Sequence, residues 1–272
     1  MKGSCDTHFH VFGPLDKYPA RDPQLRYKMP TAPLEDYLAH ARPMGFERFV
    51  FVQPSAYMRD NSCMLDAMRA MPGTRGIVDI DEDIADAELE KLDQLGVRGV
   101  RVNVSPVHPP EPGLAQKLLP RIQKLDERLS KIGWHLDFLL PGWLTDELLE
   151  RIGRLKCEST LAHMGMFLAK DGVQQAGFQR LLRAVGGKKL WVKLTGVYRM
   201  SKTPGFADAA PMARALIEAA PDRLIWGSDY PHLSFADTNS SEALFATLKG
   251  WARDEATLRR ILVDNPQKLF GF

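Results

Sequence analysis

Short apolar runs alternate with amphipathic segments along the whole chain. Several of these runs are rich in Val and Ile, which is the composition of parallel strands buried on both faces. Eight strands are predicted in this way, at Cys5–His10, Arg48–Val52, Arg75–Asp79, Val97–Asn103, Trp134–Leu139, Ser159–Ala162, Leu190–Leu194 and Leu224–Gly227.

The segments between these runs have helical spacing. Apolar residues from Leu118 to Ile132 follow one another at steps of four and three, so they line one face of a helix. The spacing within Leu34–Ala41 is similar, and Thr145 is expected to cap the start of a further helix. Alternation of strand and helix requires a parallel sheet, and eight such units predict a (β/α)₈ barrel, an α/β fold. An open doubly wound sheet is the alternative, but no GxGxxG or P-loop follows the first run.

Nothing in the sequence divides the chain. We find no internal repeat, Ser/Gly-rich linker or shift in composition, so residues 1–272 are expected to form a single domain. The longest predicted loops run from Phe12 to Pro33 and from Ser105 to Gly113, and both are rich in proline. Both follow strands, so in a barrel they lie at the end where active sites are built. We therefore expect them to border the functional site.

Composition excludes several classes of protein. The chain has 272 residues, of which 44% are hydrophobic and 26% charged, enough to bury a sizeable core and too apolar for a disordered chain. Lys and Arg number 36 against 34 Asp and Glu, so neither nucleic acid nor an anionic membrane is an expected partner. The apolar runs are too short to span a bilayer, and little sequence precedes Cys5, so no signal peptide is expected.

Cysteine usage bears on location. Cys5, Cys63 and Cys157 are widely spaced, odd in number and outside any CxxC pair, so neither a disulfide framework nor a zinc ribbon is predicted. A reduced, cytoplasmic protein is the resulting expectation.

The segment Asp6-Thr7-His8-Phe9-His10 is the sharpest chemical signal. Because side chains alternate along a strand, His8 and His10 share one face while Phe9 points to the other. Two imidazoles at the end of a barrel strand can bind a metal ion or polarise a carbonyl group. The alternative is a pair of hydrogen-bonded core histidines without a catalytic role.

Two further residues follow predicted strands. His163 comes directly after the sixth run and Asp229 after the eighth, which neighbours the first if the sheet closes. A carboxylate beside imidazoles is suited to be a general base or a metal ligand. Alone, Asp229 is better explained as a residue that caps a turn, and His163 as one that caps its own loop.

Arginines and a serine at strand ends are candidates for substrate binding. Arg101 lies near the end of the fourth predicted strand and Arg199 follows the seventh, and a guanidinium group there can hold a carboxylate through two hydrogen bonds. Ser55 follows the second strand and can add a hydrogen bond, but without a GxSxG context it is not a predicted nucleophile. The alternative for both arginines is a solvated surface position.

A set of motifs in this order resembles a known family. The motifs are DTHxHVFGP, FVQPS, GVRGVRVN, AHMG, WVKLTGVYRMS, WGSDYPH and NPQKLFGF. Together they resemble the 2-pyrone-4,6-dicarboxylate lactonase-like branch of the amidohydrolase superfamily, over nearly the whole chain from Cys5 to Phe272. WVKLTGVYR with WGSDYPH is the more specific part, since HxH occurs throughout the superfamily.

The resemblance implies an amidohydrolase-type barrel that opens a lactone or similar carboxylated cyclic ester, a small-molecule substrate from aromatic or sugar-acid catabolism, without a metal cofactor. It implies that His8, His10 and His163 polarise the scissile carbonyl. Asp229 takes a proton from water and later protonates the leaving oxygen. Carboxylate groups of the substrate are held, by the same resemblance, by Ser55, Arg101, Arg199 and His232.

Metal dependence is left open by the residues themselves. Metal-dependent relatives place a histidine at the end of the fifth strand, where this chain has Leu139, whereas His135 lies at the start of that strand. A single zinc ion held by His8, His10, His163 and Asp229 remains chemically feasible. The alternative functions are therefore a divalent-metal amidohydrolase or decarboxylase on the same barrel, and an inactive barrel that only binds carboxylated ligands.

One position departs from the family pattern. The lactonases have an arginine where Ala162-His163-Met164-Gly165-Met166 ends in methionine. The change removes one carboxylate contact, worth about 1.5–3 kcal/mol for a charged hydrogen bond. We expect Met166 to make that wall of the pocket apolar, and the substrate to have fewer charges than a dicarboxylated pyrone.

Overall fold

The computed structural model describes residues 1–187 and 189–272. Parallel strands form its centre and pair in chain order from first to last. The strands are β1 Cys5–Phe9, β2 Arg48–Val52, β3 Arg75–Val78, β4 Val97–Asn103, β5 His135–Leu139, β6 Ser159–Leu161, β7 Leu190–Lys193 and β8 Leu224–Ile225. The predicted runs agree with these bounds to within one or two residues.

Helices connect the strands and cover the outside of the sheet. They are α1 Leu34–Ala41, α2 Ser62–Ala70, α3 Asp86–Leu95, α4 Leu114–Ile132, α5 Gly142–Ile152, α6 Ala176–Val185, α7 Ala210–Ala219, α8 Ser241–Ala252, α9 Glu255–Arg259 and α10 Asn265–Phe270. The prediction that Thr145 caps a helix is wrong, because α5 begins earlier. The carbonyl of Pro141 already accepts the N–H groups of Leu144 and Thr145 at 2.9 Å, which starts the helix at Gly142.

The sheet nearly closes into a barrel. Between β8 and β1 the N–H of Thr7 donates to the carbonyl of Trp226 at 3.0 Å. The N–H of Asp229 donates to the carbonyl of His8 at 2.8 Å. These two bonds join the last strand to the first, so the predicted (β/α)₈ architecture is confirmed.

Packing explains why β1 presents its histidines inward. Phe9 turns to the helical side and stacks on Tyr37 of α1, with ring centroids 3.7 Å apart. At the amino end of the barrel, Phe270 of α10 is fully buried and closes the base. Asn265 fixes α10 there by donating to the carbonyl of Leu224 at 2.7 Å. The opposite, carboxyl end is left for the long loops.

None of the helices in the described part of the chain combines the length and apolar character needed to cross a bilayer. The cytoplasmic location remains a prediction from the sequence.

Candidate active site

A cavity of about 670 Å³ opens at the carboxyl ends of the strands. Both long loops border it, and Tyr27 and Val107 are among their contributions. The two loops predicted to border the functional site therefore border this cavity, the candidate site. Most of the residues singled out from the sequence line the cavity, namely His10, Ser55, Arg101, His163, Arg199 and Asp229.

The histidines of β1 converge with His163. The rings of His8 and His10 are 5.1 Å apart, and those of His8 and His163 are 5.3 Å apart. His8 lies deepest, with a fully buried side chain. The backbone of Gly227 passes so close to His8 that a Cβ atom at this position would lie 2.5 Å from the His8 nitrogen. Glycine at position 227 thus allows β8 to approach β1.

Asp229 lies among the three imidazoles. Its Oδ1 atom is 3.5 Å from Nε2 of His8 and 3.6 Å from Nε2 of His10. Its Oδ2 atom is 3.9 Å from Nε2 of His163. The residue has φ 58°, a left-handed conformation that is strained for a residue other than glycine, and its N–H bond to β1 holds it there.

The two carboxylate oxygens of Asp229 have different surroundings. Oδ2 accepts a hydrogen bond from the hydroxyl group of Tyr198 at 2.5 Å and from Nε of Arg199 at 3.1 Å. Oδ1 is buried and has no hydrogen-bond partner among the described residues. Burial alone raises the pKa of Asp229, but the shift is opposed above all by the Arg199 guanidinium, and the pKa lies well below its usual value. A charged carboxylate with one free oxygen is therefore available to accept a proton.

The hydrogen-bond partners of His10 and His163 indicate which ring nitrogen of each carries the proton. Nδ1 of His10 lies 2.8 Å from the carbonyl oxygen of Val52, which can only accept, so Nδ1 bears the proton and Nε2 has the lone pair. Nδ1 of His163 lies 2.8 Å from the hydroxyl oxygen of Thr195. That oxygen also accepts the His163 N–H at 3.3 Å. The hydroxyl group can also donate to Nδ1, so this contact is compatible with a His163 proton on Nε2.

Burial keeps all three imidazoles neutral near neutral pH. It lowers the pKa of His163 to about 3, with Asp229 opposing the shift. Burial also lowers the pKa of His8, helped by Lys193, and that of His10. A neutral imidazole has one donor and one acceptor nitrogen, so the proton assignment decides what each ring does.

A buried ion pair lies beneath the histidines and was missed by the sequence reasoning. Lys193 of β7 and Asp137 of β5 are both fully buried, with Nζ 2.6 Å from Oδ1. Nζ is also 3.2 Å from Nδ1 of His8. Burial alone raises the pKa of Asp137, but Lys193 and Arg101 hold it at about 2. A charged residue inside each of two apolar strand runs was the available signal, since such residues are almost never fully buried unless paired.

The predicted substrate-binding residues divide into two groups. Arg101, Arg199 and Ser55 line the cavity, and the Ser55 hydroxyl is 3.4 Å from that of Tyr27. One N–H of Arg101 donates to the carbonyl of Gln53 at 2.5 Å, while Nε of the same side chain lacks a hydrogen-bond partner. This Nε atom is buried and lies 4.0 Å from Oδ2 of Asp137, so Arg101 is anchored at the cavity wall. Tyr27, which the sequence did not single out, adds a hydroxyl group at the same wall.

His232 and Met166 lie away from the cavity surface. His232 is buried, with Nε2 3.3 Å from the hydroxyl of Ser241. Neither residue is among those that line the cavity. The prediction that Met166 forms an apolar wall is therefore wrong, because its side chain is buried beside the cavity. Apolar lining comes from other residues, namely Leu25, Val107, Leu139, Leu233 and Phe235.

The ligand atoms of His8, His10 and Asp229 fit a divalent metal ion only in part. Nitrogen and oxygen atoms of His8, His10 and Asp229 lie within 4.8 Å of one another. His10 fits a divalent cation, since its Nδ1–H donates to a carbonyl and its Nε2 is free. His8 does not, because an ammonium group at its Nδ1 leaves the proton on Nε2, the nitrogen that faces the cluster. The set as a whole therefore does not match a metal centre.

Known proteins resemble this chain over its whole length. It is 35% identical to a 4-sulfomuconolactone hydrolase of Hydrogenophaga intermedia, with 99% of this chain and 89% of the relative aligned. It is 30% identical to a 2-pyrone-4,6-dicarboxylate hydrolase of Comamonas testosteroni, covering 98% of this chain and 90% of that protein. A crystal structure from Pseudomonas putida, assigned as a 2-pyrone-4,6-dicarboxylic acid hydrolase, is 31% identical and superposes with a TM-score of 0.87 over 100% of this chain and 98% of that one.

The resemblance inferred from the motifs is confirmed by these comparisons. The amidohydrolase family model matches residues 5–272, and the chain is therefore an enzyme of the amidohydrolase family.

Proposed function

We propose that this enzyme hydrolyses a lactone or related carboxylated cyclic ester by attack of water, in the catabolism of aromatic or sugar-derived acids. The observation that supports this most strongly is the free Oδ1 of a charged, buried Asp229 among three neutral imidazoles. Two arginines line the same cavity. Relatives with lactone-hydrolase names agree with the assignment.

Asp229 and His10 are the acceptors that hold the attacking water. Oδ1 of Asp229 and the unprotonated Nε2 of His10 are 3.6 Å apart, so one water molecule can donate to either atom. As the water oxygen bonds to the carbonyl carbon, its proton passes to Oδ1. Because the pKa of Asp229 is low, its carboxylate is ionised before the attack and can accept that proton, which makes the transfer a general-base step.

His163 and His8 are the donors in this proposal. Their Nε2–H groups point toward the centre of the cluster and stabilise the negative charge that develops on the carbonyl oxygen. Collapse of the tetrahedral intermediate breaks the ring C–O bond, and Asp229 returns its proton to the leaving oxygen. The family resemblance gave one role to all three histidines, whereas the hydrogen bonds of His10 favour a separate one.

The cavity favours a substrate with both acidic and apolar parts. Arg101 and Arg199 both line the cavity and can bind a carboxylate, and the Arg199 guanidinium lies 5.6 Å from the ring of Phe235. Leu233 and Val107 line the outer part of the cavity. A carboxylated lactone with an apolar substituent matches this division. The substrate-binding roles of Ser55 and His232 remain proposals, and His232 would act through Ser241 or the loop around it.

Turnover of a panel of lactones, with and without a chelator, tests the function. We expect hydrolysis of at least one carboxylated lactone, retained after chelation. The matched control is Asp229→Asn, which keeps the shape of the side chain but should not turn over. An active preparation that cleaves only phosphoesters or amides, or decarboxylates aromatic acids, would contradict the proposal.

A metal-dependent amidohydrolase or decarboxylase is the second candidate. The closeness of His8, His10 and Asp229 favours it, because their ligand atoms lie within 4.8 Å of one another and could surround one zinc ion if His8 gave up its Nε2 proton. Metal content and the effect of chelation on activity separate the two candidates.

A further inference from the structure

Lys193 contacts His8, whose imidazole is fully buried inside the barrel. Its Nζ atom lies 3.2 Å from Nδ1 of His8 and 2.6 Å from Oδ1 of Asp137. All three side chains are buried to 0% exposure, so no water competes for these contacts. The Lys193 side chain therefore selects which nitrogen of His8 can bear the proton.

The charge of Asp137 requires a cation at this position. Oδ1 of Asp137 accepts from Nζ of Lys193 and from the hydroxyl group of Thr160. The only other cation nearby among the described residues is Arg101, with Nε 4.0 Å from Oδ2. Burial lowers the pKa of Lys193 and Asp137 opposes that shift. A neutral amine would leave a buried carboxylate without its closest partner, which is the more costly arrangement.

An ammonium group can donate but cannot accept a hydrogen bond. Nδ1 of His8 must then be the acceptor, and the proton of the neutral ring lies on Nε2. The opposite tautomer would set two N–H donors against each other at 3.2 Å. His10 shows the reverse case on the same strand, since a backbone carbonyl at its Nδ1 holds the proton there.

We propose that Lys193 is a positioning residue that holds the His8 proton on Nε2, so that His8 faces the reaction centre as a donor and cannot ligate a divalent cation. The first part of this proposal concerns the protein alone. The catalytic consequence rests on the proposed lactone hydrolysis, because only there does a donor at Nε2 assist a carbonyl oxygen.

Nitrogen NMR of ring-labelled histidine in the full-length protein tests the tautomer directly. The His8 signals are assigned by their loss in His8→Gln. In the wild-type protein we expect Nε2 of His8 to be protonated and Nδ1 unprotonated, with the reverse for His10. A wild-type His8 that is protonated on Nδ1 overturns the proposal.

The variant pair removes the ammonium group together with its closest carboxylate. Lys193→Met alone leaves Asp137 unpaired and is expected to fold poorly, whereas Lys193→Met with Asp137→Leu replaces the buried pair by apolar side chains, which proteins often tolerate. In this double variant we expect His8 to lose its fixed tautomer. Affinity for added zinc should rise by about tenfold or more, because the groups that contact ligating histidines change metal affinity by about 10–100-fold and Lys193 is one that opposes binding.

The control is Asn265→Ala, which removes two buried hydrogen bonds at the amino end of the barrel and leaves the histidines untouched. We expect it to lower stability with no change in the His8 signals or in zinc affinity. Unchanged His8 signals and zinc affinity in the double variant would overturn the proposal. These readouts need no substrate, so failure of lactone hydrolysis with the expected tautomer would contradict the proposed function alone.

Discussion

At the residue scale, the site depends on what each polar atom has as its partner. His10 and His8 lie on the same strand but favour opposite tautomers, because a carbonyl oxygen lies at Nδ1 of His10 and an ammonium group at Nδ1 of His8. Asp229 is likewise divided into a bound oxygen and a free one. The chemistry follows from these partners rather than from residue type.

Asp229→Asn tests the free oxygen. The amide retains the shape and can still accept from Tyr198, but it cannot take the proton of water. We expect kcat to fall by about 10²–10⁴-fold with little change in substrate affinity. Steady-state kinetics and direct binding measurements check this. Asp126→Asn makes the same change at a buried carboxylate far from the cavity, and its kcat should stay at the wild-type value. Wild-type kcat in Asp229→Asn would show that this residue only shapes the loop.

Arg199→Met tests the cation beside the base. Burial raises the pKa of Asp229 and Arg199 is the main influence that lowers it, so removing Arg199 should move the acidic limb of the kcat–pH profile to higher pH. Loss of a charge-assisted contact of about 1.5–3 kcal/mol should also raise KM for an acidic lactone roughly ten- to over a hundredfold, and far less for a neutral one.

The control for this change is Arg223→Met, a cation that lies over the Trp191 ring. It should alter neither the pH profile nor the preference for acidic substrates. Equal effects of Arg199→Met on acidic and neutral lactones would contradict a role in binding carboxylate.

The sequence predicts which residues meet at the candidate site but not the buried groups that they contact. His8, His10 and Asp229 could be placed together because strand periodicity and barrel order bring their positions to one edge. Lys193 and Asp137 escaped notice because the pairing of β5 with β7 side chains across the barrel interior is a property of the closed sheet. For the same reason His232 and Met166 were expected at the cavity surface, although the loop paths bury both.

At the scale of elements, the strands separate function from stability. Most strands present a proposed reacting or binding group at their carboxyl ends. His135, at the start of β5, instead packs against Phe270 with ring centroids 5.3 Å apart. That division was anticipated for His135 from its position in the strand. Helix starts were less predictable, since α5 begins at the carbonyl of Pro141 rather than at Thr145.

His135→Gln tests the stability role. Burial lowers the pKa of His135 to about 4, below its ordinary value, so the unfolded chain binds a proton at higher pH than the folded one. Its contribution is fully present above about pH 6.5 and is lost as pH falls toward 4. We expect the fall in unfolding free energy between pH 7 and pH 5 to be about 2 kcal/mol smaller in the variant.

Urea unfolding at the two pH values measures this difference. His40→Gln is the matched control, because it makes the same substitution at an exposed histidine. An unchanged pH dependence in His135→Gln would contradict the burial of a neutral imidazole.

At the scale of the whole molecule, the barrel brings distant segments into one reaction centre. β1 and the loop after β8 are joined by the Asp229 N–H bond to His8, which sets the base against the histidines. Lys193 of β7 contacts His8 from the side of the barrel interior. The architecture was predictable from alternating strand and helix patterns, but the fit of a metal ion was not, because it depends on one contact inside the closed barrel.

The most direct test of the account is the activity of metal-free enzyme on a carboxylated lactone. Purified protein is dialysed against a chelator, its zinc content is measured, and ring opening is followed for the wild-type protein and Asp229→Asn. We predict a zinc content well below one ion per chain, full ring-opening activity of the metal-free wild-type protein, and no activity in Asp229→Asn. One tightly bound zinc ion per chain, with activity lost on chelation and restored by zinc, would contradict it.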